Sequence, residues 1–386
     1  MNQGDLGHQA RYPIAARAGL AFLKRVQRAD GGFATAQPSP DAELAVASLA
    51  GLALLAGKDD AAARCQGFVA SALEREQVTH LGAAFAAWFL AEAVARTADD
   101  QRGALMPALA RASERVRAAQ QDDGGWPLGA TQPAYNESTL AAQCCVLALG
   151  AAERAGTTID NAVFERAFAF FKKHTNDGKV GFLPEPGFDR RSEAGRLAGI
   201  LVAMRGAACD LGDAYAGKLF DYYAHQSKDI AYAPLDEALG LLWSALLTRE
   251  KGLPQWILFN YENQILLLSL QQRDGSFAAL PKPARKALPF FDDCAGPAWR
   301  TAIYSLVLQL QDDALPVLSP GPGASFTQSR DSSGKLAAPA APAADQAPAG
   351  ATQFTSIEDA IQFMKKMGVK DDDPQMKQLK ELEKKK

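Results

Sequence analysis

The chain has no long apolar run and no excess of basic charge. Its apolar stretches, such as residues 44–55, fall short of the roughly 18–20 residues that a bilayer span requires. The formal net charge is −3 at pH 7, which provides no general attraction to nucleic acid or to anionic lipid. We therefore expect no membrane span and no nucleic-acid partner.

The cysteine content also excludes a class of protein. Five cysteines are an odd number, and they fall mostly within helical patterns, which is typical of buried thiols rather than a disulfide framework. Arg11 and Arg17 interrupt the apolar stretch near the N-terminus, so no secretory signal is expected. Both features predict a cytoplasmic protein. The cysteines are Cys65, Cys144, Cys145, Cys209 and Cys294.

The most informative feature that is present is a repeated motif. In it a glutamine is followed three residues later by Asp-Gly and then, after one further residue, by an aromatic residue. Three copies are complete, at 27–33, 120–126 and 271–277, and two are degraded, at 174–180 and 226–232. Their spacing indicates a period of about fifty residues and six units, one of which lacks the motif.

Between the motifs the apolar spacing is helical, and the helices occur in pairs. The second helix of each pair is apolar nearly all round, which predicts an inner layer, whereas the first carries a charged face. The sequence therefore predicts an all-α fold, an (α/α)6 toroid of six helical hairpins; an open solenoid is the alternative. First helices are predicted near 14–27, 60–76, 102–120, 159–174, 211–225 and 253–271, and second helices near 41–56, 80–96, 137–153, 191–207, 235–249 and 297–311.

The C-terminal part differs in composition. Residues 1–315 are predicted to form the toroid, 316–353 a Pro/Ala/Gly-rich linker, and 354–386 a short charged helical tail. Ile357, Ile361 and Met364 are spaced to share one side of a short helix. This tail is predicted to dock onto a protein partner or onto the toroid's own surface; a solvated tail is the alternative.

The three complete motifs resemble the Gln-Trp repeats of the squalene-hopene cyclase and protein prenyltransferase β-subunit superfamily. The likeness covers residues 14–315, although only Trp126 matches the family's tryptophan. It implies that the glutamines and aromatic residues of the motifs join neighbouring outer helices. It also implies an apolar or isoprenoid-like ligand in a central cavity.

The catalytic motifs of these families are missing. No Asp-x-Asp-Asp motif, the acid of class II cyclases, occurs in the repeats. Asp292-Asp293-Cys294 has the Asp-x-Cys form of the prenyltransferase zinc site, but no histidine follows His225 to complete it. The triad 371–373 has the carboxylates of a magnesium site but lies in the tail. No metal and no other cofactor is predicted, and whether the protein is an enzyme stays open.

Polar residues recur where the loops enter the second helices, including Asp41 and Glu43. In a toroid they would surround one mouth of the cavity and act as acid and base or bind a ligand; the alternative is stabilisation of the helix N-termini. The weak catalytic candidates are Glu137, Glu193, Asp236, Glu237, Asp292 and Asp293. The ligand-binding candidates are Tyr135, Arg190, Arg191, Trp299 and Arg300.

Three hypotheses for the function follow. The first is binding of an apolar or isoprenoid-like ligand, the second a protein-interaction scaffold, and the third a glycan-acting enzyme. Trp88, Trp243 and Trp299 are predicted either to line a cavity or to pack in a core. A deep aromatic cavity would favour the first hypothesis and a filled centre the second, while two facing carboxylates about 5–10 Å apart would favour the third.

Overall fold

The fold is built from twelve helices among the residues described by a computed structural model: 11–97, 99–127, 139–176, 179–180, 193–209, 214–226, 237–251, 253–279, 295–310, 315, 329–336 and, in the tail, 361, 362, 365, 377 and 380. The odd-numbered helices are α1 (Arg11–Val26), α3 (Ala62–Ala72), α5 (Asp99–Ala118), α7 (Asn161–Lys173), α9 (Ala214–Gln226) and α11 (Leu253–Leu270). The even-numbered helices are α2 (Pro40–Ala56), α4 (His80–Arg96), α6 (Thr139–Arg154), α8 (Glu193–Gly206), α10 (Glu237–Lys251) and α12 (Pro297–Gln309).

The helical part of the prediction is confirmed. Each predicted helix is present, and no end differs from its predicted position by more than four residues. Two short strands, β1 (Thr175–Asn176) and β2 (Lys179–Val180), pair antiparallel after α7, where the motif is degraded. None of the described helices is long and apolar enough to span a bilayer.

The two sets of helices differ in burial, as their composition dictates. Nearly every described side chain of the even-numbered helices is buried, because alanine, leucine and glycine cover all sides. The odd-numbered helices are partly exposed, for example at the Glu114–Arg117 pair of α5. Local signals fix the starts of helices: the Ser39 hydroxyl accepts from Ala42 N at 3.1 Å, and Pro40 occupies the first turn of α2.

The even-numbered helices pack against one another in chain order, from α2 through α12. Small residues permit close approach: Gly51 of α2 lies under the ring of Phe89 of α4, so an added Cβ would lie 2.4 Å from that ring. Besides α10, helix α12 packs against α2 and α1. The last helix of the repeat region thus contacts the first two.

The glutamines of the complete motifs join one odd-numbered helix to the next. Gln27, after α1, donates to Ala61 O at 3.3 Å and accepts from Arg64 Nε at 2.8 Å, at the start of α3. Gln120, after α5, donates to Val163 O at 3.0 Å and accepts from Arg166 Nη2 at 2.6 Å, in α7. The structural role implied by the resemblance therefore has a direct physical basis here.

Glycine fixes the shape of the three motif turns (27–33, 120–126 and 271–277). Gly31, Gly124 and Gly275 have φ of 88°, 93° and 89°, a region that side chains with a Cβ rarely adopt. A Cβ at Gly124 would also lie 2.1 Å from Arg166 O of the neighbouring helix. Each turn therefore rests directly on the backbone of the next odd-numbered helix.

A further segment, residues 329–336, packs along α7 and is called the strap below. Gly334 rests on the backbone of Glu165, and Arg330 N donates to Ala208 O at 2.9 Å just beyond α8. The strap falls within the range 316–353 that the sequence assigned to a linker. The domain boundaries remain predictions, but this part of the range has defined contacts with the helices.

Of the tail residues predicted to dock, Ile357 and Met364 lie outside the described residues. Ile361 is 5% exposed and lies in a helical segment.

Candidate functional site

Aromatic side chains meet between the even-numbered helices. Trp88 of α4 and Trp243 of α10 are 1% and 2% exposed, and their ring centroids lie 5.6 Å apart. Phe85 of α4 meets Trp299 of α12 edge to face at 5.5 Å. Since α4 is not a neighbour of α10 or of α12 in chain order, these ring contacts join helices that are distant in the sequence.

A polar contact completes this aromatic cluster. Gln143 of α6 is 1% exposed and lies next to Trp243. With its amide oriented to satisfy both neighbours, the oxygen accepts from Trp243 Nε1 at 3.2 Å and the nitrogen donates to Arg196 O at 3.2 Å. Trp88 Nε1, by contrast, is buried with no hydrogen-bond partner among the described residues.

At the N-terminal end of α2, Asp41 has a structural role. Its Oδ1 accepts from Thr79 N at 2.8 Å and its Oδ2 accepts from the Thr79 hydroxyl at 2.8 Å. Thr79 is the N-cap of α4, so the carboxylate of one even-numbered helix fixes the start of the next. Both oxygens are engaged, which leaves this member of the predicted polar mouth poorly placed for acid–base chemistry.

Glu43 and His80, close to Asp41 in the sequence or in space, also form contacts within the chain. Glu43 lies between Arg28 and Arg75, at 3.6 and 3.7 Å. His80 Nε2 bonds Pro127 O at 2.6 Å, and burial lowers the pKa of His80, although the Pro127 carbonyl and the Asp41 charge oppose the shift. Burial therefore keeps this histidine neutral, and in that form its Nε2–H donates to Pro127.

Few of the predicted site residues lie among the residues that the structure describes. Trp299 is fully buried in the aromatic cluster, and Arg300 Nε donates to Phe277 O at 3.5 Å, a long contact. Glu193 and Glu237 are the first residues of α8 and α10. The other candidates lie outside the described residues: Tyr135, Glu137, Arg190, Arg191, Asp236, Asp292 and Asp293.

At the opposite ends of the even-numbered helices, arginines bind helix C-termini. Arg96 Nη1 donates to Leu55 O at 2.6 Å, and Arg154 Nη1 lies 3.4 Å from Arg205 O. Carbonyls in the last turn of a helix have no partner within the helix and carry partial negative charge, so cations are favourable there. Burial lowers the pKa of Arg154 to about 10, while the charge of Glu92 opposes the shift.

Arg330 of the strap enters this same end and is the most deeply buried arginine or lysine among the described residues, at 1% exposure. Its two terminal nitrogens donate to the two oxygens of Glu153 at 2.8 and 2.6 Å, and Nη1 also donates to Ala207 O at 2.8 Å. Nε donates to Asn161 Oδ1 at 2.8 Å, and the guanidinium lies 4.1 Å from the centre of the Phe164 ring. The charge of the Arg330 guanidinium is therefore paired, its nitrogens are hydrogen-bonded, and it lies against an aromatic ring.

The strap repeats the geometry of the motif turns. Gly334 has φ of 83°, Gly334 N donates to Asp331 O at 2.9 Å, and Asp331 N donates to Lys335 O at 3.0 Å. In the first motif turn Gly31 N donates to Arg28 O at 3.0 Å and Arg28 N to Gly32 O at 2.9 Å. Arg330 thus occupies the position of the motif glutamine.

Sequence reasoning missed this copy because its key positions have changed: arginine replaces glutamine and serine replaces aspartate. The signals that remained were a glycine four residues after Arg330 and an apolar residue two further on, Leu336. The Pro- and Ala-rich surroundings obscured them.

Four cysteines lie among the described residues; they are buried and form no disulfide there: Cys65, Cys144, Cys145 and Cys209. Burial raises the pKa of Cys65 to about 12 despite the amide of Gln27, which donates to its sulfur at 3.1 Å. Burial also raises the pKa of Cys145 well above its ordinary value. Among the described side chains, no three of the types His, Cys, Asp and Glu converge to form a metal site.

Comparison with known protein families and with curated proteins finds no match for this chain.

Proposed function

We propose that the twelve helices form an (α/α)6 toroid that is related in design to the terpenoid cyclases and prenyltransferase β-subunits. Support comes from the contacts of α12 with α1 and α2, and from the motif turns, each of which rests on the next odd-numbered helix. In this arrangement the even-numbered helices are the inner layer.

Its function is that of a protein-interaction scaffold, which binds partners on its outer surface. The observation that carries this proposal is the contact of Trp88 with Trp243 across the space between α4 and α10. Close-packed aromatic rings leave no room at that level for an isoprenoid chain, since protein interiors pack at the density of organic crystals. The described odd-numbered helices then offer the accessible surface, including Ile14 and Ile265, which are 58% and 71% exposed.

An apolar ligand is the second candidate, and one observation favours it. A buried indole N–H without a partner costs free energy, and a ligand with a hydrogen-bond acceptor would relieve that cost at Trp88. This requires the aromatic cluster to open. For the glycan-acting enzyme Asp41 and Glu43 offer no support, because both are engaged in contacts within the chain.

Native mass spectrometry of the gently purified full-length protein separates these proposals, with any released small molecule identified. For a scaffold we expect the mass of the polypeptide alone. A stoichiometric isoprenoid or lipid would overturn the scaffold and support the ligand.

Photo-crosslinking in the source cells tests the partner directly. A photoreactive amino acid at exposed position 265 should give a protein adduct of defined mass, whereas the same amino acid at position 267, where Leu267 is 1% exposed, should not. Absence of protein adducts at both 265 and 14 would contradict the proposal.

A further inference from the structure

The strap has the properties of a bound peptide rather than of an integral part of the helical body. We propose that the cleft between α6, α7 and the end of α8 is a recognition site for an arginine-centred turn. Residues 329–336 occupy it as a separable ligand and thereby latch the C-terminal tail to the body. This inference goes beyond the scaffold proposal and holds whether or not the outer surface binds a partner.

The first argument is the concentration of contacts on one side chain. Arg330 alone bonds Glu153, Ala207 and Asn161, while Ser329, Asp331 and Lys335 are exposed. Leu336 is 46% exposed and contributes little apolar burial. A single buried arginine in a fitted pocket, surrounded by weaker contacts, is the usual form of a binding hot spot.

The second argument is that the turn is held by its own hydrogen bonds. Asp331 Oδ1 accepts from Ser333 N at 2.8 Å, from the Ser333 hydroxyl at 2.6 Å and from Lys335 N at 3.2 Å. With the two backbone bonds of the turn, these contacts form within five residues and do not involve the body. Such a segment is preorganised, so little conformational entropy is lost when it binds.

The third argument concerns the cleft itself. It is lined by groups that need a cation or donor: the Glu153 carboxylate, the Asn161 amide oxygen and the carbonyls of Ala207 and Ala208 that follow α8. Planar bidentate pairing with a carboxylate is specific to arginine, because lysine offers only a point charge. The cleft is therefore selective for arginine within a tight turn.

A tether makes such a site a latch. The strap is joined covalently to α12 through the short segment 311–328. Covalent attachment makes the binding of the strap an intramolecular event, so even a moderate intrinsic affinity keeps the cleft filled. When the strap binds, the chain continues towards the tail from Leu336 at the surface of the body.

The test uses the full-length chain and a fluorescent synthetic peptide of residues 326–338. In the Arg330→Ala variant the tethered strap loses its anchor, and the added wild-type peptide should bind and raise the fluorescence anisotropy. Binding to the wild-type chain should be at least about tenfold weaker, because the tethered strap competes. The same peptide with Arg330→Ala should not bind, and Glu153→Gln in the Arg330→Ala chain should weaken binding by about tenfold or more.

Circular dichroism confirms that the variants are folded before binding is measured. A folded Arg330→Ala chain that does not bind the peptide would overturn the proposal. Hydrogen exchange on the wild-type chain provides a test that needs no variant. The amide of Arg330, which bonds Ala208 O, should exchange through a local opening, well before the amides of α6 and α7. Exchange of all three only on global unfolding would show that the strap is integral to the fold.

Discussion

The side-chain amide of Gln271 donates a hydrogen bond of 2.8 Å to the backbone oxygen of Ala15, a residue 256 positions earlier in the chain. This bond joins the end of α11 to α1. Gly275, in the same motif turn, faces Ala18 O, so the turn rests on α1 as the other motif turns rest on α3 and α7. The same arrangement, a glutamine followed by a glycine turn, therefore joins neighbouring repeats and also joins the two ends of the repeat region.

Replacing Gln271 by alanine should lower the free energy of unfolding by about 1–2 kcal/mol, because the bond to Ala15 is lost. Hydrogen exchange in residues 11–26 should increase, since α1 loses its link to α11. Gln272→Ala is the matched control, because among the described residues the Gln272 side-chain amide bonds only Leu270 O, two residues away. Equal effects of the two substitutions in urea denaturation would contradict the proposed role of Gln271.

Three glycine-to-alanine substitutions should rank by their surroundings. Gly124→Ala combines a φ of 93° with a Cβ 2.1 Å from Arg166 O, and should cost more than about 2 kcal/mol. Gly156→Ala meets no atom within 4 Å but has φ of 103°, and should cost about 1–2 kcal/mol. Exposed Gly67 lies within α3 with no atom near its missing Cβ, and Gly67→Ala should stabilise by about 0.5–1 kcal/mol. Urea denaturation measures all three, and any other order would contradict this explanation.

The helices were predictable because their signals are local. Ser39 and Pro40 mark the start of α2, and the nearly continuous apolar composition of residues 44–54 marks it as buried. The complete motifs predicted where neighbouring repeats contact each other, through Gln27, Gln120 and Gln271. Nothing local, however, states that Gln271 bonds Ala15, because that pairing depends on how the whole set of helices packs.

The candidate site was far less predictable. For Trp88 and Trp243 the sequence left two alternatives, cavity lining or core packing, and the contact of their rings between α4 and α10 favours the second. Arg330 was missed for a physical reason as well. A buried arginine is stable only where Glu153, Asn161 and helix-end carbonyls converge, and those groups are more than 120 residues away in sequence. Composition assigns such a segment to a linker.

Trp88→Ala should destabilise the protein by about 3–5 kcal/mol, because it removes a buried aromatic side chain and leaves a cavity beside Trp243. Added indole should refill the cavity and raise the midpoint of thermal unfolding of the variant but not of the wild-type protein. Differential scanning fluorimetry with increasing indole provides the measurement. A melting temperature that is the same in Trp88→Ala and in the wild type would show that Trp88 does not pack the core.

The buried thiols should be unreactive while the protein is folded. Because burial raises the pKa of Cys65 to about 12 and that of Cys145 well above its ordinary value, neither forms the nucleophilic thiolate at pH 8. Iodoacetamide should therefore modify Cys65, Cys144, Cys145 and Cys209 only after denaturation, as read by peptide mass mapping. Rapid alkylation of Cys65 in the folded protein would contradict its burial against Gln27.

His80 should make the stability of the protein depend on pH below neutrality. Burial lowers its folded pKa beneath the unfolded value of about 6.5, so at lower pH the unfolded chain binds a proton that the folded chain does not. Stability is then retained above pH 6.5 and lost as the pH falls, by at most about 1.4 kcal/mol per pH unit for one proton. His80→Gln should flatten this dependence between pH 7.5 and 5.5 in urea denaturation, whereas the matched change at the exposed histidine, His225→Gln, should not. Only a residue whose proton binding differs between the folded and unfolded states contributes to the pH dependence of stability. If His80→Gln keeps the slope of the wild-type protein, the pH dependence arises from other groups.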